Sequence, residues 1–156
     1  MIMRVLVAGG TGVVGRRLVP QLVARGHQVT ATTTSPIKLG LLGQLGADAI
    51  VMDGLDAVSI GEAVAKARPD TIVHQMTAIA PAHAGKIDFK HIDRWFSITN
   101  RLRTEGTDHL LAAAEATGVS HVVAQSYASW NGIRTGGWVK TEEDELDPMT
   151  GTAARP

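Results

Sequence analysis

The sequence predicts an α/β fold with a doubly wound parallel sheet of about five strands. Three observations predict it. Short β-like runs alternate with longer helical patterns along most of the 156 residues, as they do in sheets whose crossovers are helices. The first run, Met3 to Ala8, is nearly all apolar, which suits a strand covered on both faces. Gly9, Gly12 and Gly15 then punctuate the turn into the first helical pattern.

The elements follow in order. Val14, Leu18 and Leu22 recur every four residues, with Val19 and Val23 beside them, and mark one face of the first helix. Pro20 inside it predicts a kink or a lost hydrogen bond, and Gly26 is its expected stop. His27 to Thr32 is a β-branched second strand. Ser35-Pro36 reads as an N-cap followed by proline at the first helical position. The short, glycine-interrupted helix after it turns Leu39, Leu42 and Leu45 to the core. Asp48 to Met52 is a third strand. Val58 to Arg68 is a helix, with Ser59 and Glu62 near capping-box spacing. Thr71 to Gln75 is a fourth strand. Ala78 to Ile92, with Pro81 and Gly85, reads as a loop over the sheet edge. One long helix is expected from about Asp93 to Thr117, with Leu102, Gly106, Leu110 and Ala114 on one face and Gly118 as its stop. His121 to Gln125 is a fifth strand. Residues 1–125 thus carry the sheet and helices of a single domain, and 126–156 read mostly as loop. No further strand–helix pair follows, so the sheet is expected to be incomplete on its C-terminal side. An apolar edge strand left open would invite self-association.

Composition narrows the function classes. Apolar residues make up 44% and charged residues 19%, the balance of a globular protein with a real core. Lys plus Arg number 15 and Asp plus Glu 15, which argues against a nucleic-acid partner. There is no cysteine, hence no disulfide, thiol nucleophile or Cys-ligated zinc. The six histidines show no ligand spacing, so no metal site is expected. The apolar start of the chain is too short for a signal core or a membrane span. No membrane partner and a cytoplasmic location are the expectation.

The glycine turn carries the chemistry. Gly9, Gly12 and Gly15 fit G-x-x-G-x-x-G between a strand and a helix, the context in which the pattern has meaning. Gly9 permits the tight turn, Gly12 lets backbone approach a pyrophosphate, and Gly15 lets the helix pack closely. The helix N-terminus, with Thr11, Val13 and Val14 in the loop before it, then offers N–H groups and the positive end of a dipole to phosphates. The ligand expected of such a Rossmann-type fold is NAD or NADP. A P-loop is excluded, since G-K-[ST] does not follow. A doubly wound module of flavodoxin or receiver type, without dinucleotide, remains an alternative. Strand order separates the two, 3-2-1-4-5 for the first and 2-1-3-4-5 for the second.

Later segments extend the pattern. Val51-Met52-Asp53-Gly54-Leu55-Asp56, Pro69-Asp70-Thr71-Ile72-Val73-His74, Glu105-Gly106-Thr107-Asp108-His109-Leu110-Leu111-Ala112-Ala113-Ala114, and Thr141-Glu142-Glu143-Asp144 to Pro148 follow the glycine loop in order. Together they resemble the extended and atypical short-chain dehydrogenase/reductase superfamily, in particular the NAD-dependent epimerase/dehydratase family and its N-terminal cofactor-binding part. The resemblance covers nearly the whole chain.

It implies roles residue by residue. The end of the second strand reads the adenosine ribose. Thr32, Thr33 and Thr34 stand there without an acid, and Lys38 and Arg16 lie near enough to pair with a 2′-phosphate, so NADP is favoured over NAD. Asp53, with Gly54 beside it, matches the carboxylate that accepts from the adenine amino group; a turn aspartate is the alternative. Gln75, Met76 and Thr77 match the segment along the cofactor's ribose and phosphates, with Met76 where the family has a small residue. His74 reads as a packed strand histidine. Gln125 ends the fifth strand and, with Ser126 after it, is a cofactor-binding candidate; Ser126 and Tyr127 are also the catalytic candidates. Departures are equally clear. Arg103 stands where the family has Asn. Tyr127 stands where the family often has its catalytic hydroxyl, and Thr152 and Pro156 stand near the places of its Tyr-x-x-x-Lys pair. Tyr127 is the single tyrosine, and Asn131, not lysine, lies four residues on. Two readings follow: a chain that stops before its catalytic pair, or a non-catalytic member that binds the dinucleotide as a structural or sensing ligand. If the protein is catalytic, the resemblance implies a small-molecule substrate, a sugar nucleotide or a carbonyl compound.

Overall fold

The computed structural model describes residues 1–79, 90, 92–125, 139 and 141–144. The expected sheet-edge loop falls mostly outside the described residues, at 80–89 and 91. So do Ser126, Tyr127 and most of the C-terminal stretch.

Five parallel strands form one sheet: β1 (Arg4–Ala8), β2 (Gln28–Thr33), β3 (Asp48–Val51), β4 (Thr71–His74) and β5 (His121–Ala124). Their order is β3-β2-β1-β4-β5. This is the 3-2-1-4-5 order of a Rossmann-type sheet, and it removes the flavodoxin-like alternative. Val7 pairs with Ala31 on one side and Val73 on the other. β1 is thus central, and the order reverses between β1 and β4.

The alternation of β1 divides the core. Val5 and Val7 join Val19, Val29, Ala31, Leu42 and Ala47 on one face. Helices α1 (Gly15–Ala24) and α2 (Leu39–Gln44) cover that face. Leu6 and Ala8 join Met52, Ile60, Val64, Ile72 and Leu110 on the other. Helices α3 (Ala57–Ala67) and α5 (Glu105–Thr117) cover it. Helix α4 (Ile92–Arg103) precedes α5. Among the described residues, no helix is long and apolar enough to cross a membrane.

α1 runs through Pro20 to Ala24, so the proline costs the Arg16 carbonyl its N–H partner, the lost hydrogen bond expected of it. Other local expectations are corrected. Pro36 opens a 3-10 turn, Pro36–Lys38, rather than an α-helix, and the Ser35 side chain does not cap it. Ser59 does not cap α3. Asp56 does, with Oδ1 accepting from the N–H groups of Val58 at 2.8 Å and Ser59 at 3.3 Å. The Ser59 hydroxyl instead accepts from Asp53 N–H at 3.0 Å.

The single long helix is two. Thr104, at φ −95° and ψ −81°, separates α4 from α5. Its hydroxyl donates to the Asn100 carbonyl at 3.0 Å, the back-bonding that bends helices. Gly106, two residues past the bend, lies against the β3–α3 loop, where a Cβ would stand 2.8 Å from the Gly54 carbonyl oxygen. The predicted face nevertheless holds across the bend. Gly106, Leu110 and Ala114 are buried and Leu102 packs beside them.

Candidate functional site

All five strands are parallel, so the residues singled out in the sequence collect at one carboxyl edge. The glycine loop forms its centre. Gly9 has φ +92°, and a Cβ there would stand 2.8 Å from the Gln75 carbonyl oxygen. The turn therefore requires glycine on conformational and steric grounds. Gly12 N–H donates back to the Gly9 carbonyl at 3.1 Å. Gly15 is fixed by the loop itself: its Cβ would lie 2.5 Å from Gly9 O and 2.6 Å from Gly10 O. Its role is thus to close the loop onto the helix start, which adds to the helix–sheet approach expected from sequence. No side chain caps α1. Among the described residues, the Val13 and Val14 amides have no protein acceptor. Gly12, Val13 and Val14 are exposed. The loop therefore presents unused N–H groups on an uncluttered surface, the arrangement that receives an anion.

β2 holds the loop from the side. Thr32, buried, accepts from Gly9 N–H through Oγ1 at 3.1 Å, while its carbonyl accepts from Gly10 N–H at 2.9 Å. Thr33, also buried, places Oγ1 3.2 Å from the Thr11 hydroxyl and accepts from Ser35 N–H at 3.2 Å. Thr34 is exposed and Lys38 half-buried at the end of the 3-10 turn. Arg16 is tied to the loop, Nε donating to the Thr11 carbonyl at 2.9 Å.

The β3–α3 corner serves two purposes. Asp53 Oδ1 accepts from Leu55 N–H at 2.9 Å, a turn role, while the residue stays exposed. Gly54 is a packing point: a Cβ there would stand 2.5 Å from Met76 Sδ and 2.8 Å from Leu102 Cδ2. The Met76 side chain is 8% exposed and fills the room that Gly54 and Gly106 leave. It lies in the core between these two glycines.

The end of β4 is held by side chains. His74 is the packed strand histidine expected of it. Nδ1 accepts from Met76 N–H at 3.1 Å and Nε2 lies 3.0 Å from the Leu102 carbonyl. This pair of partners assigns the neutral ring with its proton on Nε2. Burial, with Arg103 adding to it, lowers its pKa below the ordinary histidine value, and the bond to Leu102 opposes that shift. Thr99, fully buried on α4, accepts from Ala78 N–H at 3.0 Å. Thr77 is half-buried. Gln125 is exposed at the end of β5, its N–H donating to the His74 carbonyl at 3.3 Å.

The structure therefore brings the loop, Thr33, Thr34, Asp53, Thr77 and Gln125 to one edge, and buries Gly54 and the Met76 side chain beneath it. Sequence reasoning placed Thr32 only among the threonines ending β2, without its support of the Gly9 amide, and did not single out Thr99. Their partners lie 23 and 21 positions away, so no local pattern marks them. Among the described residues, no group of three His, Asp or Glu side chains is placed to hold a metal.

Comparison with known proteins agrees with this geometry. A family model described as NAD(P)H-binding matches residues 9–148. The chain is 43% identical over 126 residues to a 3-diazoavenalumate denitrifying reductase of a Streptomyces species, covering 81% of this chain and 38% of that protein. It is 33% identical over 147 residues to a 3-beta-hydroxysteroid dehydrogenase of Mycolicibacterium neoaurum, covering 94% of this chain and 37% of that protein. It therefore spans little more than a third of either. Among solved structures, a UDP-glucose-4-epimerase of Stenotrophomonas maltophila with bound NAD and formylated UDP-arabinopyranose superposes with a TM-score of 0.74 at 21% identity. That match covers 95% of this chain and 44% of the epimerase, and it shows the shared fold.

Proposed function

Because the chain belongs to the NAD(P)H-binding family, with the extended short-chain dehydrogenase/reductase fold of the epimerase/dehydratase group, we propose that it is the dinucleotide-holding part of an oxidoreductase acting on a small carbonyl compound or the corresponding alcohol, with NADP preferred to NAD. One observation carries the reading: the glycine loop fits a pyrophosphate, with Val13 and Val14 amides unclaimed, α1 uncapped, and no Cβ at Gly9, Gly12 or Gly15. The names of the two curated relatives, a reductase and a dehydrogenase, support redox chemistry over epimerisation.

Each residue then has a part. The loop amides and the α1 dipole hold the phosphates. Thr33 and Thr34 face the adenosine ribose, and Lys38 with Arg16 supplies positive charge for a 2′-phosphate. Asp53 keeps Oδ1 on its own turn and offers its second oxygen to the adenine amine. Thr77 runs beside the ribose and phosphates, and Gln125 borders the nicotinamide end. The dinucleotide, when bound, supplies or accepts the hydride. Tyr127 has Asn131 four residues on, so cofactor binding is the property ascribed to these residues, and proton transfer is not.

Thermal unfolding of the purified protein with NADPH and with NADH tests the reading. Both should raise Tm, NADPH more, and a ligand at ~100 times its Kd should stabilise by ~2.7 kcal/mol. Lys38→Ala should weaken NADPH several-fold and leave NADH unchanged. No shift with either dinucleotide at millimolar concentration sinks the reading; tighter binding of NADH sinks the preference alone.

A further inference from the structure

The bend between α4 and α5 docks on the corner that follows β3. A Cβ at Gly106 would stand 2.8 Å from the Gly54 carbonyl oxygen, and one at Gly54 would stand 2.8 Å from Leu102 Cδ2. Charged residues at the bend therefore rim the corner that holds Asp53. Two of them form an ion pair. Arg101, in the last turn of α4, donates through Nε to Glu105 Oε1 at 2.8 Å and through Nη2 to Oε2 at 2.7 Å. Glu105 opens α5, so the pair spans Thr104. The two side chains are 54% and 45% exposed. An ion pair so exposed adds little to stability.

Asp53 is the third charge at this corner. The Arg101 pKa stands above its ordinary value through the hydrogen bonds to Glu105 and that carboxylate's charge, and the charge of Asp53 adds to the effect. One guanidinium thus lies within electrostatic reach of two carboxylates, and it gives a fork of two N–H groups to one of them. The planar fork fits a single carboxylate. Asp53 is left to its own turn. Its Oδ1 accepts from Leu55 N–H at 2.9 Å, and among the described residues its second oxygen has no hydrogen-bond donor. Asp53 is exposed, so that oxygen is open to an N–H donor from a ligand. What keeps it open is the partner that Arg101 already has.

We propose that Glu105 is a positioning residue for the purine end of the dinucleotide. By holding Arg101 with both oxygens, it keeps the guanidinium from pairing with Asp53 and reserves that carboxylate for an exocyclic amine. The corner then selects an aminopurine over an oxopurine, which brings an acceptor where Asp53 requires a donor. This role rests on the dinucleotide reading above. Arg101 is the competitor that Glu105 restrains, and neither residue touches the ligand.

Titration calorimetry at low salt with NADPH and with its deamino form, which carries hypoxanthine in place of adenine, tests this role. The parent should bind NADPH several-fold more tightly than the deamino form. Glu105→Gln releases Arg101 to Asp53. The preference for NADPH should then fall about threefold, the effect of one exposed ion pair, with Tm nearly unchanged. Adding Arg101→Gln to Glu105→Gln removes the competing cation and should restore the preference, which a merely structural role for the pair does not allow. An unchanged preference in Glu105→Gln overturns the inference, as does a double variant no better than the single one. In both cases binding of NADPH by the parent keeps the dinucleotide reading intact. A parent that binds the two forms equally overturns the inference together with the adenine role of Asp53. A parent that binds neither overturns the dinucleotide reading as well.

Discussion

The two corners of the sheet edge nearest β1 are built on opposite principles. The corner of β1, the glycine loop and α1 is shaped by what its residues lack. Gly9, Gly10 and Gly15 each leave space that another backbone or side chain occupies within 3 Å of a would-be Cβ, and the first turn of the helix has no cap. The corner of β4, α4 and α5 is shaped by what its residues supply. His74 and Thr99 reach across the chain to satisfy backbone groups of Leu102, Met76 and Ala78. The first corner keeps its amides for a ligand. The second spends side chains on rigidity. A corner made of close backbone approaches tolerates no added atoms, whereas one made of side-chain bonds tolerates isosteres and fails by degrees.

The sharpest way to break this contrast is Gly15→Ala. The added methyl meets two carbonyl oxygens, which flexible side chains cannot relieve. The cost should reach the upper end of the ~1–3 kcal/mol typical of overpacking, with dinucleotide binding lost. Denaturant unfolding and calorimetry would show it, and a variant as stable and as tightly binding as the parent would refute the backbone account of this corner.

The hydroxyl supports divide the corners more finely. Thr32→Val leaves the part-buried Gly9 N–H without its acceptor and Thr99→Val the buried Ala78 N–H, each at about 1–2 kcal/mol in denaturant unfolding. Thr32→Val should also weaken dinucleotide binding, because Gly9 N–H is part of the loop. Thr99→Val should leave affinity within twofold. Equal effects on affinity would erase the distinction.

The smallest effect is pH-dependent. Burial depresses the His74 pKa, so its contribution is fully present above the unfolded value of about 6.5. As pH falls below that value, the unfolded chain takes up a proton that the folded ring refuses, and stability declines through the window down to the folded pKa. Tm should fall from pH 7.5 to 5.5, and less steeply in His74→Asn. Parallel slopes would remove His74 as the source.

What the sequence disclosed follows from the range of the interactions. The strands, the loop and the strand order it implied were legible because alternation and glycine spacing are local signals. The bend at Thr104 was not, because Leu102, Gly106, Leu110 and Ala114 keep their spacing across it. A side-chain pattern is blind to a backbone distortion that preserves the buried face. Asp56 was masked as a cap by the rival pair Ser59 and Glu62. That Met76 is accommodated where the family has a small residue was not legible either, because the glycines that make room for it are 22 and 30 positions away in sequence. Of the site, the phosphate-facing loop was readable, while the hydroxyls behind it depend on which distant backbone groups the fold brings near.

The Arg4–Asp70 contact at the opposite edge bears on how the chain assembles. Asp70 accepts from Arg4 N–H at 2.8 Å and from its guanidinium at 2.6 Å, and its own N–H returns to the Arg4 carbonyl at 2.8 Å. These bonds join residues 66 positions apart, one position before Val5↔Thr71, the first rung of the β1–β4 ladder. β1, β2 and β3 can pair through short crossovers, but β4 must find β1 across the whole of that half. Closing so long a loop is the slow step in sheets of this kind. A charged, bidentate clasp at the ladder's open end is made only in the native register, in which Val73 and His74 stand on their proper faces. A one-residue slip there would exchange those faces.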